Sequence, residues 1–231
     1  MLIYGRNPVL EALREGQVSR LWVARGVEGW LLRELKTLGA EYELVPRIEL
    51  DQMVRTTAHQ GLVAEVEEAR FSDLMAPLRL AERRNEQPLL VVLDGITDPR
   101  NYGAIIRSAF ALGAHGVLTE ERRSAPLSPT VVKASAGTAT RLPLVQVKNL
   151  PRALEDLKSR GLWIYGTSGK ADKDLTQLDY RRPLAVVIGS EGEGIRRLVG
   201  EGCDELARIP LAAGAESLNA AVALGIVLYQ V

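Results

Sequence analysis

The chain has 231 residues, 46% hydrophobic and 25% charged, enough for one large domain or two small ones. Lys+Arg and Asp+Glu both number 29, so no broad cationic field captures a partner, although local basic patches remain possible. One cysteine, Cys203, and two distant histidines, His59 and His115, exclude an intrachain disulfide and disfavour a metal centre. In chain order, NPVLEALRE (7–15) reads as a helix with Asn7 as cap, Pro8 at its first position and Glu11 four residues past the cap. RLWVARG (20–26) is an expected strand, and LLRELKTLGAE (31–41) a helix with Leu31, Leu32, Leu35 and Leu38 on one face, closed by Gly39. EYELVP and GLVAEVE (61–67) are further strands. Together they predict a small α/β domain over 1–70.

Residues 71–88, FSDLMAPLRLAERRNEQP, carry a charged run between Pro77 and Pro88 and are expected to link two domains, with a short helix possible at the centre. From 89 to 231 strands and helices alternate. PLLVVLDGI enters Asp94-Gly95 after five consecutive apolar residues. NYGAIIRSAFALGA is a helix closed by Gly113, GVLTE a strand, and SPTVVKASAGTATRLP helical with Ser128 as cap. LVQV, the Asn149-capped helix NLPRALEDLKSRG, LWIYGTSG, PLAVVIGSEGEG, IRRLVGEGC, ELARIPL and a terminal helix SLNAAVALGIVLYQV follow. Apolar runs that do not alternate predict a sheet buried on both faces and hence mostly parallel. The longest of them are far below the roughly 20 residues that span a bilayer. The first residues form no signal peptide, so a cytoplasmic protein is expected.

Three loops stand out. LDGITDPRNYGAIIRSA (93–109) runs from a strand end into a helix, where ligands of open α/β sheets sit. Asn101 there is either a helix cap or a functional amide, and Arg107 either solvent-facing or functional. VVIGSEGEGIRR (186–197) has three glycines in six positions, which let the backbone approach a ligand closely. It has neither G-x-G-x-x-G spacing nor the lysine of a phosphate loop, and Glu191 and Glu193 would repel a bare polyphosphate. IPLAAGAESLNAAVALGIVLYQV (209–231) leads through Pro210 and Gly214 into a helix with no polar face, which requires burial in its own domain or in a dimer. Ser217 reads locally as its cap. Glycine-containing loops at 166–169, 189–194 and 210–214 predict one pocket.

DPRNYGAIIRSAFALGA (98–114), VIGSEGEGI (187–195) and IPLAAGAESLNAAVALGIVLYQ (209–230), with KASAGTATRLP (133–143) between, resemble the SpoU/TrmH family of RNA ribose 2'-O-methyltransferases of the SPOUT superfamily. The likeness covers about 89–231. GRNPVLEAL (5–13) and HQGLVAEV (59–66) resemble the extra N-terminal domain, similar to ribosomal protein L30e, of members that methylate a guanosine of 23S rRNA. The resemblance implies a C-terminal trefoil-knotted domain, a homodimer with active sites at its interface, S-adenosyl-L-methionine as methyl donor, and no metal. RNA rather than DNA is the implied partner, because the acceptor is a 2'-hydroxyl.

Carried over by motif, the implied catalytic residues are Asn101, Arg107, Glu191, Ser217 and Asn219. The implied cofactor pocket uses Thr167, Gly169, Ile188, Gly189, Glu191, Ile209, Leu211 and Leu218. Two positions depart from the family pattern: Ala213 stands for glycine, and Ala220-Ala221 stand for Val-Ser after Asn219. Arg6, Arg100, Arg122, Arg123, Arg141, Arg181 and Arg182 are candidate RNA contacts or plain surface charges. A tRNA ribose methyltransferase, a resistance-type rRNA methyltransferase and a non-catalytic RNA-binding assembly factor are the rival readings.

Overall fold

A computed structural model describes residues 1–231 except 15, 67, 68 and 216, and without the side chain of residue 129. Glu15 and Glu67, at the ends of an expected helix and strand, and Glu216 of the last motif therefore lie outside the described residues. The chain divides into two compact units, Met1–Ala69 and Arg70–Val231.

The first unit contains β1 (Leu2–Tyr4), α1 (Arg6–Arg14), β2 (Val18–Ala24), α2 (Gly29–Thr37), β3 (Glu43–Val45), α3 (Arg47–Val54) and β4 (Leu62–Val66). Its sheet runs β1-β4-β2-β3, antiparallel except for the β2/β3 pair. The helix expected from Asn7 starts at Arg6, which puts Asn7 and Pro8 inside its first turn. Val9, Leu10, Leu21, Val23, Leu31, Leu35 and Leu62 form the core beneath α1 and α2. β1 and α3 were not anticipated. Only Leu50 of α3 is buried and Ile48 faces solvent, so that segment has no apolar stripe to read. His59 is structural: its Nδ1 accepts the N–H of Gly61 at 3.0 Å and its Nε2 meets Asp51 Oδ1 at 2.9 Å.

The second unit contains β5 (Phe71–Ser72), α4 (Ala76–Arg84), β6 (Leu89–Asp94), α5 (Pro99–Ala111), β7 (Gly116–Glu120), α6 (Pro129–Ala134), β8 (Leu144–Val147), α7 (Leu150–Ser159), β9 (Trp163–Thr167), β10 (Lys173–Asp174), β11 (Leu184–Gly189), α8 (Arg197–Glu201), β12 (Glu205–Arg208) and α9 (Ala220–Gln230). Single 3-10 turns occur at Thr138–Thr140 and Leu175–Gln177. The sheet order is β10-β12-β9-β11-β6-β7-β8-β5, and every described pairing is parallel, as the unbroken apolar runs of β6 and β11 require.

The segment expected to link the domains instead belongs to this unit. β5 pairs with β8 at the sheet edge, Leu74 and Leu78 pack on the core, and Pro77 lies so close to Gly116 that a Cβ there would sit 2.5 Å from its ring. His115 mirrors His59: Nδ1 accepts the N–H of Leu89 at 3.1 Å and Nε2 meets Glu86 Oε2 at 2.9 Å. No helix among the described residues is long and apolar enough to cross a membrane.

Candidate active site

Parallel strands put their C-terminal ends on one edge of the sheet. β9 ends at Thr167, β11 at Gly189, β12 at Arg208 and β6 at Asp94. The loops leaving β9, β11 and β12 enclose a cleft of about 630 Å³, counted out to open solvent. Thr167, Gly169, Ile188, Gly189, Glu191, Ile209, Leu211 and Leu218 all line it. Ser168, Ser190, Gly194, Ser217, Ala220 and Ala223 complete the wall. Its apolar sides are flanked by hydroxyls and one carboxylate, the mixture expected of a small-molecule site. A Cβ added at Gly169 or Gly194 would meet no atom within 4 Å, so both backbones face open space. Gly189 is the opposite case. A Cβ there would lie 2.1 Å from the carbonyl carbon of Gly194, because Ser190 and Gly194 exchange two backbone hydrogen bonds and fold the loop back on β11.

Beside this cleft three sequence-distant segments meet. Glu191 Oε1 accepts from Asn101 Nδ2 at 3.0 Å, from Asn219 Nδ2 at 2.6 Å and from the N–H of Ala220 at 3.2 Å. Asn219 Nδ2 also donates to Asn101 Oδ1 at 2.9 Å. Asn219 Oδ1 accepts the N–H groups of Ala221 and Val222, at 3.0 and 3.4 Å, and so caps α9. Capping by Ser217 is therefore corrected to Asn219, and Ser217 lines the cleft instead. Asn101 is likewise no cap. It is the third residue of α5, whose first turn Asp98 caps by accepting the N–H of Arg100 at 2.8 Å. Ala220 and Ala221 act through their backbone N–H groups, and Ala213 does not take the positive φ that Gly214 adopts.

Arg107 stands apart from the three. It is exposed on α5, about 120° around the helix and roughly 9 Å along it from Asn101. Its side chain has no partner among the described residues and does not line the cleft.

A second polar cluster went unread in the sequence. Arg196, just after the glycine loop, binds Asp94 at the end of β6 and Glu120 at the end of β7. Burial pulls its guanidinium pKa down, but the two carboxylates outweigh that and hold it above the ordinary arginine value. Charged residues at the ends of two buried strands were the available signal, but partners 102 and 76 positions away are not visible in spacing. Cys203 is inert by comparison, since burial pushes its thiol up to about 12. Among the described residues no group of three His, Cys, Asp or Glu could hold a metal.

Comparison with known proteins identifies the family. The SpoU rRNA Methylase family matches residues 88–229, and a domain described as RNA 2'-O ribose methyltransferase substrate binding matches residues 2–72. A 23S rRNA (guanosine-2'-O-)-methyltransferase, RlmB of Pseudomonas aeruginosa, is 43% identical over 99% of this chain and 94% of its own. The crystal structure of the SpoU methyltransferase AviRb from Streptomyces viridochromogenes with AdoMet aligns over 100% of this chain and 88% of that one, with a TM-score of 0.71 at 30% identity. An AdoMet-bound rRNA methyltransferase from Sinorhizobium meliloti covers 99% and 85%, with a TM-score of 0.66 at 26% identity. The chain belongs to the SpoU family of S-adenosylmethionine-dependent RNA ribose 2'-O-methyltransferases.

Proposed function

We propose that this chain methylates the ribose 2'-hydroxyl of a guanosine in 23S rRNA, working as a cytoplasmic homodimer. The observation that carries the reading is the meeting of Asn101, Glu191 and Asn219 beside a cleft lined by all eight residues expected to hold the cofactor. The N-terminal match over 2–72 and the RlmB relative, alike over nearly its whole length, support a ribosomal substrate over tRNA.

S-adenosylmethionine, when bound, supplies an electrophilic methyl group on a cationic sulfur. The chain's part is to bind, orient and stabilise charge. Ile188, Leu211 and Leu218 offer apolar surface to the adenine, while Thr167, Ser217 and the glycine backbones offer polar contacts. Glu191 is held through one oxygen only. Its Oε2 has no partner among the described residues and is the acceptor assigned to orient the target ribose, with Asn101 steadying it. Asn219 shapes the pocket by fixing both the Glu191 carboxylate and the start of α9.

Arg107 is essential in this reading. A guanidinium carries five donors and no acceptor, so the unpaired, exposed Arg107 is suited to act as a cation. It clamps the substrate phosphate and stabilises the alkoxide that develops as the hydroxyl loses its proton to solvent water. Arg107→Ala is expected to abolish methyl transfer while leaving S-adenosylmethionine affinity near the wild-type value, measured by radiolabel incorporation and calorimetry. Equal turnover in the variant contradicts the assignment.

The candidate RNA contacts divide on their partners. Arg6 is tied to Glu28, and Arg181 and Arg182 to Asp179. Arg141 lies over the Phe110 ring, 4.6 Å from its centroid. The side chains of Arg100, Arg122 and Arg123 have no partner among the described residues, and they follow the C-terminal ends of β6 and β7. Those three are the phosphate contacts this reading favours. The homodimer rests on α9. Leu224, Val227 and Leu228 face the core, whereas Val222, Ile226 and Tyr229 leave an apolar face exposed, Tyr229 by 82%.

A further inference from the structure

Glycines at 189, 192 and 194 give the loop that carries Glu191 wide conformational freedom, and ordering such a loop is entropically costly. Its ends are nevertheless fixed. At the entrance Ser190 and Gly194 close on each other through N–H to carbonyl bonds of 3.2 and 3.0 Å. At the exit Arg196 is held on three sides. Its backbone N–H donates to Asp94 Oδ2 at 2.7 Å, its Nε to Asp94 Oδ1 at 2.6 Å, and its Nη2 to Glu120 Oε2 at 2.7 Å. Asp94 is buried and ends β6, directly opposite Gly189 in the parallel register. Gly95, at φ +79°, turns the chain so that a Cβ there would lie 3.4 Å from Ser190 Cβ. Glu120 ends β7, the next strand, and its Oε1 accepts the N–H of Leu150 at 3.4 Å. None of Asp94, Glu120 and Arg196 lines the cleft. A buried carboxylate is retained at a cost unless its partner is held in good geometry, and both of its oxygens are used on this one arginine.

We propose that Asp94, Glu120 and Arg196 are positioning residues: the arginine fork locks the 190–195 loop to the ends of β6 and β7, so that Glu191 meets Asn101 and Asn219 before any ligand arrives. The proposal rests on the reading of the cleft as the S-adenosylmethionine site. Arg196→Lys keeps the charge and the backbone N–H bond to Asp94 but loses the guanidinium fork that joins Asp94 to Glu120. Glu120→Gln removes the charge from one arm of the cluster, and Asp94→Asn leaves a single acceptor oxygen for two N–H donors, so that one of those bonds is lost.

The test uses the full chain and two readouts: S-adenosylmethionine affinity by calorimetry, and amide exchange of Ser190 and Gly194. Asp204→Asn is the control, because Asp204 accepts the N–H of Ile164 at 2.8 Å and pairs with Lys158, outside the cleft lining. Arg196→Lys and Asp94→Asn are expected to weaken cofactor binding about ten- to hundredfold and speed exchange in the loop, with the amides of β6 and β11 still protected. Asp204→Asn is expected to leave both readouts at wild type. Wild-type affinity and loop exchange in folded Arg196→Lys overturn the proposal, as does an equal loss in the control. If the wild-type chain itself takes no S-adenosylmethionine, the reading of the cleft fails, and loop exchange alone then decides the fork: faster in Arg196→Lys upholds it, unchanged overturns it.

Discussion

Asn219 does two things with one amide. Its oxygen caps α9, and its nitrogen holds Asn101 and Glu191. The two roles separate in Asn219→Asp. Aspartate caps a helix as well as asparagine does, so α9 keeps its first turn. The donor is lost, however, and a second carboxylate stands at hydrogen-bond distance from Glu191. Methyl transfer is expected to fall by about tenfold or more at neutral pH, because the like-charged pair drives the two side chains apart. The melting temperature should move little. Unchanged activity at pH 7 would show that the amide donor is idle. The identities of Asn101, Glu191 and Asn219 were legible because short motifs carry them. Their mutual contact was not, since 90 and 118 positions separate the partners. Asp94 and Arg196 were missed for the same reason, and for another: a charge at the end of a buried strand looks like the start of a loop until its partner is seen.

Helix starts with strong cap signals were read nearly to the residue, although the helix expected over 128–143 ends at Ala134 and is followed only by a 3-10 turn at Thr138–Thr140. Ser128 caps α6 by accepting from Val131, and Asn149 caps α7 by accepting from Arg152 at 2.9 Å. The buried strands β6 and β11 declared themselves through unbroken apolar runs. What failed was short or weakly patterned: β1, the two-residue β5 and β10, and α3 with its single buried leucine. The charged run of α4 hid the fact that Pro77 and Ala81 are buried on its other side. Close packing between helices was also invisible. A Cβ at Gly103 of α5 would lie 2.5 Å from Ala134 Cβ and 2.8 Å from the carbonyl oxygen of Val131 in α6. Gly103→Ala is therefore expected to lose stability, by about 1–3 kcal/mol in denaturant unfolding, although alanine is the better helix former. A gain in stability would show that α5 and α6 can separate freely.

For the whole chain, a formal charge of zero shifts the burden of RNA recognition from a general field to a local patch and to RNA shape. The same logic applies to assembly. α9 is apolar all round, yet the second unit buries only one of its faces. Ile226→Asp, placed on the uncovered face, is expected to convert the proposed dimer to a monomer in sedimentation velocity without unfolding the chain. A variant that still sediments as a dimer removes α9 from the interface.

The central claim is tested most directly by incubating the purified chain with radiolabelled S-adenosylmethionine and unmodified large-subunit rRNA, small-subunit rRNA and tRNA in parallel, then mapping the methylated nucleotide. Label at the 2'-oxygen of one guanosine of the large-subunit rRNA is the expected result. Label on tRNA alone, or on none of the three with cofactor binding intact, would contradict it.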